Sequence, residues 1–240
     1  MNGLKVYCDF DGTVATKDVG RELFHHFAGP RTTEIAEQYL DGAITARECL
    51  LSEAALVSGV GPTELVEFVD QFAIDEYFIP FRKYCLQHGI PVTIRSDGLD
   101  FYVERILSRN GLADCTLYAN HLEFSVVDGV TKFDVSFPHT DSECRFCGNC
   151  KRNHMLTLSS DDEIIVYVGD GISDRCAAGY ADIVFAKKDL IKFCQRENIS
   201  YFEYKDFRDV QHRMELLLPR KRIKKRREAE MARRDAFMQG

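Results

Sequence analysis

Three short apolar runs in this chain each end in a loop that contains glycine and polar residues. Residues 4–10 lead into Asp11-Gly12-Thr13, residues 90–94 into Ser96-Asp97-Gly98, and residues 164–168 into Gly169-Asp170-Gly171. Apolar runs of this length that end at glycine predict buried strands. Helical patterns separate the runs, which predicts right-handed crossovers and a doubly wound α/β fold with a parallel, Rossmann-like sheet. Because ligands bind such sheets at the carboxyl ends of the strands, we expect the chemistry in these loops.

The segment between the first two strands has helical periodicity and no strand pattern. Thr45 and Glu48 have the spacing of a capping box, and Pro62 suits a first helical position. We therefore expect a small helical bundle inserted into the sheet domain. The predicted organisation is a core (1–13 and 84–218), a helical cap (14–83) and a basic C-terminal extension (219–240).

The second half of the chain alternates between strand and helix patterns. Residues 115–137 are rich in β-forming residues, and Asp128-Gly129 predicts a hairpin turn. The expected helices are 151–158, 173–179, 190–196 and 206–218, and the expected further strands are 183–185 and 201–202.

Composition excludes several classes of protein. The chain has 240 residues, of which 45 % are hydrophobic and 29 % are charged, as in a soluble globular protein. No stretch approaches the roughly 20 apolar residues that cross a bilayer, and the N-terminus lacks the pattern of a secretory signal, so we expect a cytoplasmic protein without membrane partners. The net charge of -7 argues against nucleic acid as a partner.

The C-terminal extension has the opposite charge. From Pro219 to Gly240 there are nine Lys and Arg against three Asp and Glu. We expect a solvated extension that is partly helical or disordered, with contact to an anionic partner as the alternative.

Two of the strand-end loops contain closely spaced carboxylates. Asp9 and Asp11 are separated by one residue, so one carboxylate can attack an electrophile while the other transfers a proton. Asp170 and Asp174 are four residues apart, and such hard oxygen ligands suit Mg²⁺. The structural alternatives are an Asp-Gly turn at residues 11–12 and a helix N-cap at residues 173–174.

Two further polar residues stand near predicted element ends. Ser96 can donate a hydrogen bond to a phosphate oxygen, and Lys151, at the start of a helix, can bind phosphate and offset the carboxylates. Taken alone, Ser96 is typical of a turn and Lys151 is typical of a solvated surface.

Together, these motifs resemble those of the haloacid dehalogenase superfamily. Asp9-Phe10-Asp11-Gly12-Thr13 is similar to its first motif, Ser96 to the second, Lys151 to the third, and Gly169-Asp170-Gly171 with Asp174 to the fourth. The helical block between the first two motifs is similar to a type-one cap. Within the superfamily the chain resembles the phosphoserine-phosphatase-like branch. The nearest subgroup is the methionine-salvage phosphatases that act on 2-hydroxy-3-keto-5-methylthiopentenyl-1-phosphate.

The resemblance implies a role for each of these residues. Asp9 would be the nucleophile that forms an aspartyl-phosphate, and Asp11 the general acid and base. Asp9, Asp170 and the backbone carbonyl of Asp11 would hold Mg²⁺, while Asp174 would support the metal's waters or Lys151. Ser96, Asp97, Gly98 and Lys151 would form the phosphate-binding set, in which Ser96 and Lys151 bind the phosphoryl group.

Two positions need separate comment. The branch usually has Ser-Gly-Gly at the second motif, whereas this chain has Ser96-Asp97-Gly98, so the Asp97 carboxylate must turn away or pair with a cation such as Arg95. Asp18 lies where the branch often has an acidic residue that contacts the substrate, and a helix N-cap is the alternative for it.

A cluster of cysteines precedes Lys151. His139, Cys144, Cys147 and Cys150 offer four potential ligands within twelve residues, which leaves open a structural Zn²⁺ site, an Fe–S cluster, or reduced cysteines in a tight loop. Nothing else in the sequence supports redox chemistry.

The leading hypothesis is a Mg²⁺-dependent phosphatase whose substrate is a small phosphorylated metabolite. The methylthio-ketopentenyl phosphate is the first candidate, and phosphoserine or another small phosphate ester is the second. The alternative from a different class is a catalytically impaired binding or regulatory module, in which Asp97 obstructs the phosphate site.

Overall fold

The computed structural model describes residues 3–141, 144, 146–219 and 223–239. The strands in this part of the chain are β1 (Leu4–Asp9), β2 (Val92–Leu99), β3 (Thr116–Val127), β4 (Val130–Ser136), β5 (Ile164–Gly169), β6 (Ile183–Ala186) and β7 (Phe202–Glu203). The helices are α1 (Val19–Ala28), α2 (Arg31–Leu40), α3 (Ala46–Leu56), α4 (Pro62–Val69), α5 (Phe78–Gln87), α6 (Asp100–Arg109), α7 (Lys151–Leu158), α8 (Arg175–Tyr180), α9 (Lys188–Arg196), α10 (Phe207–Leu217) and α11 (Arg227–Gln239).

The strands form one seven-stranded sheet in the order β4-β3-β2-β1-β5-β6-β7. β5 pairs in parallel with β1 and β6, and β6 pairs in parallel with β7. β3 and β4 form an antiparallel hairpin, whose turn places Asp128 at φ 52° and Gly129 at φ 77°. The predicted doubly wound α/β class and the predicted hairpin are confirmed. Among the described helices, none is long and apolar enough to cross a membrane.

The chain divides into two compact units. The first comprises the described parts of Met1–Val14, Ile74–Ile94 and Lys151–Gly240, and the second comprises Ala15–Ala73 with the described parts of Arg95–Cys150. The insertion predicted over 14–83 supplies four of the second unit's helices, and its boundaries stay a prediction.

The first unit is built on the parallel strands. Alternate residues of β1 and β5, among them Tyr7, Ile165 and Tyr167, pack against small side chains of α8, which include Ala177 and Ala178. Because successive strand residues point to opposite faces, this alternation directs one face of the sheet toward helices. A short hydrophobic strand thereby fixes where the residue at its carboxyl end will lie.

The second unit contains α1–α4, α6 and the hairpin. Thr45 and Glu48 form the predicted capping box, because Glu48 accepts a hydrogen bond from the Thr45 N–H at 2.8 Å and its own N–H donates to the Thr45 hydroxyl at 3.2 Å. Arg105 of α6 donates two hydrogen bonds to the carboxylate of Asp70, which follows α4. These contacts fix the helix ends within the unit.

Strand β2 is longer than the sequence predicts. The predicted strand 90–94 is observed over Val92–Leu99, so Ser96, Asp97 and Gly98 lie within the strand rather than in a loop after it. The extension is stabilised by side-chain amides, because Asn149 donates to the Ser96 carbonyl at 2.9 Å and Asn120 donates to the Asp97 carbonyl at 2.6 Å.

The described part of the C-terminal extension is partly helical, as expected, but two of its arginines pack against the end of α8 rather than being solvated. Arg226 donates to the carbonyls of Ala178 and Gly179 near the end of α8, at 2.7 and 2.5 Å. Arg233 of α11 donates to the carbonyl of Tyr180 and pairs with the Asp182 carboxylate at 3.0 Å. The two arginines satisfy carbonyls that a helix leaves without partners at its C-terminus. Residues 220–222 and 240 lie outside the described part.

Candidate active site

Lys151 is the centre of a buried charged group in the first unit. Its ammonium donates to Asp9 Oδ1 at 2.5 Å, to Asp174 Oδ1 at 2.7 Å and to Ser173 Oγ at 3.1 Å. The side chain is 1 % exposed, so these partners replace water for the ammonium. Three segments that are far apart in sequence therefore meet here: the end of β1, the start of α7 and the turn after β5.

Asp174 is held in place by further donors. Its Oδ2 accepts the backbone N–H groups of Asp170 at 2.8 Å and Gly171 at 3.0 Å, and its Oδ1 accepts the Tyr167 hydroxyl at 2.5 Å. Gly169 makes room for this carboxylate, because a Cβ at position 169 would lie 2.4 Å from Asp174 Oδ2. With Lys151, four groups fix Asp174, so its position relative to Lys151 is strongly determined.

Three carboxylates at this point form a group with the chemistry of a metal site. One oxygen from each of Asp9, Asp170 and Asp174 lies within 4.8 Å of the others. Burial raises the pKa of Asp9 well above its usual range, the carboxylates of Asp174 and Asp170 raise it further, and Lys151 lowers it. Burial and Asp174 also raise the pKa of Asp170.

The direction of these pKa shifts is informative. Three carboxylates converge here, and the two ammonium groups that contact them, those of Lys151 and the exposed Lys188, leave a net negative charge. Mg²⁺ prefers hard oxygen donors and one or two carboxylates, and it would supply positive charge. The residues present therefore fit a divalent cation.

The loop after β1 makes a sharp turn. Gly12 has φ 69°, and a Cβ there would lie 2.3 Å from Asp170 Oδ2. Glycine is required because it permits this φ and leaves room for the Asp170 carboxylate. The predicted Asp-Gly turn and the predicted paired carboxylates are thus features of the same loop. The Asp11 carboxylate lies outside the three-carboxylate group found among the described residues.

The second motif belongs to the second unit. Ser96 is fully buried, and its hydroxyl accepts the Gly98 N–H at 2.9 Å. Asp97 Oδ1 accepts the backbone N–H of Asn149 at 2.8 Å, while the guanidinium of Arg95 lies 4.1 Å above the Tyr118 ring. The Asp97 carboxylate therefore holds the segment that leads to Lys151, which explains why an acidic residue is tolerated there.

Asp18 also belongs to the second unit. Its Oδ1 accepts the Arg21 N–H at 2.9 Å, so Asp18 is the N-cap of α1. The helix N-cap, which was the alternative for Asp18, is therefore confirmed. Its contact with the substrate stays a prediction.

The predicted zinc site has no support in the structure. Across residues 3–141, 144, 146–219 and 223–239, the three aspartates are the only group of three or more potential ligands with converging atoms. The proposed zinc ligands His139, Cys144, Cys147 and Cys150 do not form such a group. The three cysteines are reduced, buried and packed together, and the Cys150 thiol donates to Asp141 Oδ2 at 3.6 Å. They act as small apolar side chains in a tight loop.

Comparison with known proteins identifies the family. The model of haloacid dehalogenase-like hydrolases matches residues 6–179, which is most of the chain and includes Asp9, Lys151, Asp170 and Asp174. The chain belongs to the haloacid dehalogenase-like hydrolases.

Curated relatives of this hydrolase are phosphatases. A Bacillus cereus protein named 2-hydroxy-3-keto-5-methylthiopentenyl-1-phosphate phosphatase is 32 % identical over 222 residues, which are 90 % of this chain and 97 % of the relative. A Bacillus mycoides protein with the same name is 30 % identical over 219 residues, with the same coverage of both chains. The hydrolase is accordingly a phosphoric monoester hydrolase.

Solved structures share the fold of the hydrolase. A substrate-bound phosphoserine phosphatase aligns with a TM-score of 0.69 at 19 % identity and covers 89 % of this chain and 99 % of its own. A cytosolic 5'-nucleotidase IIIB bound to cytidine aligns with a TM-score of 0.58 at 17 % identity, over 90 % and 88 % of the two chains. At these identities the likeness is one of fold.

Two residues that contact these carboxylates, Tyr167 and Lys188, are not among the residues that the sequence predicts for the site. Tyr167 lies inside β5, and no sequence pattern distinguishes it from a core residue. Lys188 donates to Asp170 Oδ2 at 2.7 Å from the first position of α9, just after β6. The rule that strand ends hold the chemistry, applied to β6 as well, points to Lys187 and Lys188.

Proposed function

We propose that this hydrolase removes phosphate from a small phosphorylated metabolite through an aspartyl-phosphate intermediate, with Mg²⁺ as cofactor. The observation that supports this most directly is the contact of one buried ammonium with both Asp9 and Asp174, beside Asp170. A phosphate dianion repels a carboxylate nucleophile, so attack requires positive charge at the site.

The proposed reaction has two steps. The Asp9 carboxylate attacks phosphorus, the bond from phosphorus to the ester oxygen breaks, and Asp11 donates a proton to the departing alkoxide. Water then attacks phosphorus while Asp11 accepts its proton, which releases inorganic phosphate and restores Asp9. Magnesium, when bound by Asp9, Asp170 and the Asp11 carbonyl, supplies charge that stabilises the phosphoryl oxygens.

Lys151 has two proposed tasks. Its ammonium orients Asp9 through the 2.5 Å hydrogen bond and offsets the negative charge that gathers on the transferring group. Asp174 keeps the ammonium in place, because it is itself fixed by two backbone N–H groups and the Tyr167 hydroxyl. Ser96 and Gly98 are proposed to bind the phosphoryl group, and Asp18 to contact the rest of the substrate.

For the substrate we propose 2-hydroxy-3-keto-5-methylthiopentenyl-1-phosphate, an intermediate of methionine salvage. The support is the name of relatives that match nearly their full length. Phosphoserine or another small phosphate monoester is the alternative, and the support for it is the fold shared with phosphoserine phosphatases. A panel of phosphorylated metabolites, compared by kcat/KM, separates the two.

The mechanism is tested by the release of phosphate from a generic aryl phosphate. We expect wild type to require Mg²⁺, and Asp9→Asn to release phosphate no faster than buffer. Asp128→Asn is the matched control, because Asp128 lies in the hairpin turn at φ 52°, a conformation that Asn tolerates. Equal activity of wild type and Asp9→Asn would contradict the nucleophile assignment.

A further inference from the structure

A second ammonium, that of Lys188, contacts one of the proposed metal ligands. Lys188 Nζ lies 2.7 Å from Asp170 Oδ2. Asp170 therefore pairs with a cation of the chain itself, at an oxygen of the carboxylate that a divalent cation would need. No role for Lys188 follows from the reaction proposed above.

The backbone places Lys188 at this position. The Lys187 N–H donates to the Gly169 carbonyl at 3.3 Å, and the Leu190 N–H donates to the Asp170 carbonyl at 3.0 Å, so the start of α9 is bound to the end of β5 and the residue after it. Lys188 itself has φ 49°, a left-handed conformation that is uncommon for a residue with a side chain. The backbone at the start of α9 thus directs the Lys188 side chain toward Asp170.

Gly12 provides the space in which the two groups meet. A Cβ at position 12 would lie 2.3 Å from Asp170 Oδ2 and 2.8 Å from Lys188 Nζ. The three segments that approach one another here are the loop after β1, the loop after β5 and the start of α9. The contact is therefore an organised part of the site and not a chance surface pair.

The exposure of Lys188 differs sharply from that of Lys151. The Lys188 side chain is 56 % exposed, whereas that of Lys151 is 1 % exposed. When a buried ammonium leaves its carboxylates, buried charges stay behind without a partner, at a large cost in free energy. An exposed ammonium readily exchanges its partner for water. Lys188 is the cation of this site that can move away.

We propose that Lys188 is a tethered competitor of the divalent cation, paired with Asp170 in the metal-free protein and displaced into solvent when the cation binds. The inference rests on the metal site of the proposed function. Competition for one carboxylate and repulsion between two cations act in the same direction, so Lys188 lowers the affinity for the metal. In exchange, it reduces the repulsion among the carboxylates before the metal arrives.

The test is calorimetric titration of Mg²⁺ into the full-length, metal-free protein. We expect Lys188→Met to bind Mg²⁺ about three- to tenfold more tightly than wild type, because one exposed pair and one repulsion are removed. Lys188→Arg, which keeps the cation, should bind within about twofold of wild type. Lys192→Met is the matched control, since Lys192 is an exposed lysine of the same helix that pairs with Asp189 at 2.7 Å.

The direction of the change decides the inference. Equal or weaker binding by Lys188→Met would overturn it, because a lysine that only orients Asp170 would weaken binding when removed. Tighter binding by Lys192→Met to the same extent would also overturn it, since the effect would then be one of net charge. Absence of Mg²⁺ binding in wild type would contradict the metal site itself, and Asp170→Asn, expected to bind at least tenfold more weakly, identifies that site.

Discussion

Both units of this hydrolase bury carboxyl groups whose pKa is raised, and the units differ in what offsets the charge. In the first unit, Asp9 and Asp174 share the buried ammonium of Lys151, and Asp170 pairs with Lys188. In the second unit, Glu53 is 8 % exposed, with Asp18 as a neighbour and Arg21 as a weaker, opposing influence. Burial and Asp18 raise the pKa of Glu53 to about 7.

The difference shows two ways in which a protein can bury carboxylates. Glu53 keeps its proton until the pH nears about 7, so the free-energy cost of burying this carboxyl group depends on pH. The carboxylates of the first unit have cations beside them and oxygen donors directed at one point, so a divalent cation can complete that group. A raised pKa alone therefore does not identify a catalytic carboxylate, because it occurs in both units.

The largest expected effect is that of removing the buried cation. Lys151→Met leaves Asp9 and Asp174 without their ammonium, and we expect the free energy of unfolding to fall by about 3–5 kcal/mol. Phosphate release should fall at least about a hundredfold, because an ammonium is lost where charge develops. Urea denaturation and a phosphate assay measure the two effects.

The matched variant for this change is Lys188→Met. It also removes an ammonium from the group, but an exposed one, so the free energy of unfolding should change by at most about 1 kcal/mol. Similar losses of stability in the two variants would show that burial does not distinguish the two lysines.

The next effect concerns the proton on Glu53. Below about pH 4.5 the carboxyl is protonated in both the folded and the unfolded chain. As pH rises toward 7 the unfolded chain ionises first, so the free energy of unfolding falls, by about 3 kcal/mol for the shift to a pKa of about 7. Glu53→Gln should lack this decrease, as measured by urea denaturation between pH 5 and pH 8.

Glu67→Gln is the control for the Glu53 variant. Glu67 is an exposed residue of α4, and its replacement should leave the pH dependence of stability as in wild type. A Glu53→Gln variant whose stability falls between pH 5 and pH 8 as much as that of wild type would mean that Glu53 is ionised in the folded protein.

The smallest effect compares a neutral donor with the cation. Tyr167→Phe removes the hydroxyl that donates to Asp174 and should reduce the free energy of unfolding by about 1.5–2 kcal/mol, since the acceptor is charged. Tyr7→Phe is the matched control, because the Tyr7 hydroxyl shares a hydrogen bond with a neutral group, the Ser159 hydroxyl, at 2.8 Å. Its loss should be about 1 kcal/mol or less in urea denaturation. An equal loss of stability in both variants would contradict the premise that the Asp174 carboxylate strengthens the hydrogen bond from Tyr167.

Much of the fold could be predicted from local patterns. The apolar run before Gly169 predicts β5 to within one residue, and the Thr45 and Glu48 spacing predicts the start of α3. The sequence underestimates β2, because its second half is stabilised by amides of Asn120 and Asn149, which are distant in sequence. The packing of Arg226 and Arg233 against α8 could not be predicted either, because arginines in a basic segment are usually solvated.

The site was predictable where a residue follows a strand. Asp9, Asp170 and Asp174 come together because β1 and β5 are adjacent and parallel. Tyr167 was not predictable, since a tyrosine inside a strand usually belongs to the core. The direction of the Asp97 carboxylate also depends on a long-range contact, because its partner, the Asn149 N–H, is 52 residues away.

The contact between Arg226 and α8 has a consequence for the order in which this protein matures. Arg226 follows Ala178, whose carbonyl it binds, by 48 residues. During translation α8 therefore leaves the ribosome before the arginines that donate to the carbonyls of its final turn, and those carbonyls gain these donors only later. Domains generally fold as units as they are synthesised. The first unit gains the contacts of Arg226 and Arg233 with α8 only after α11 has emerged.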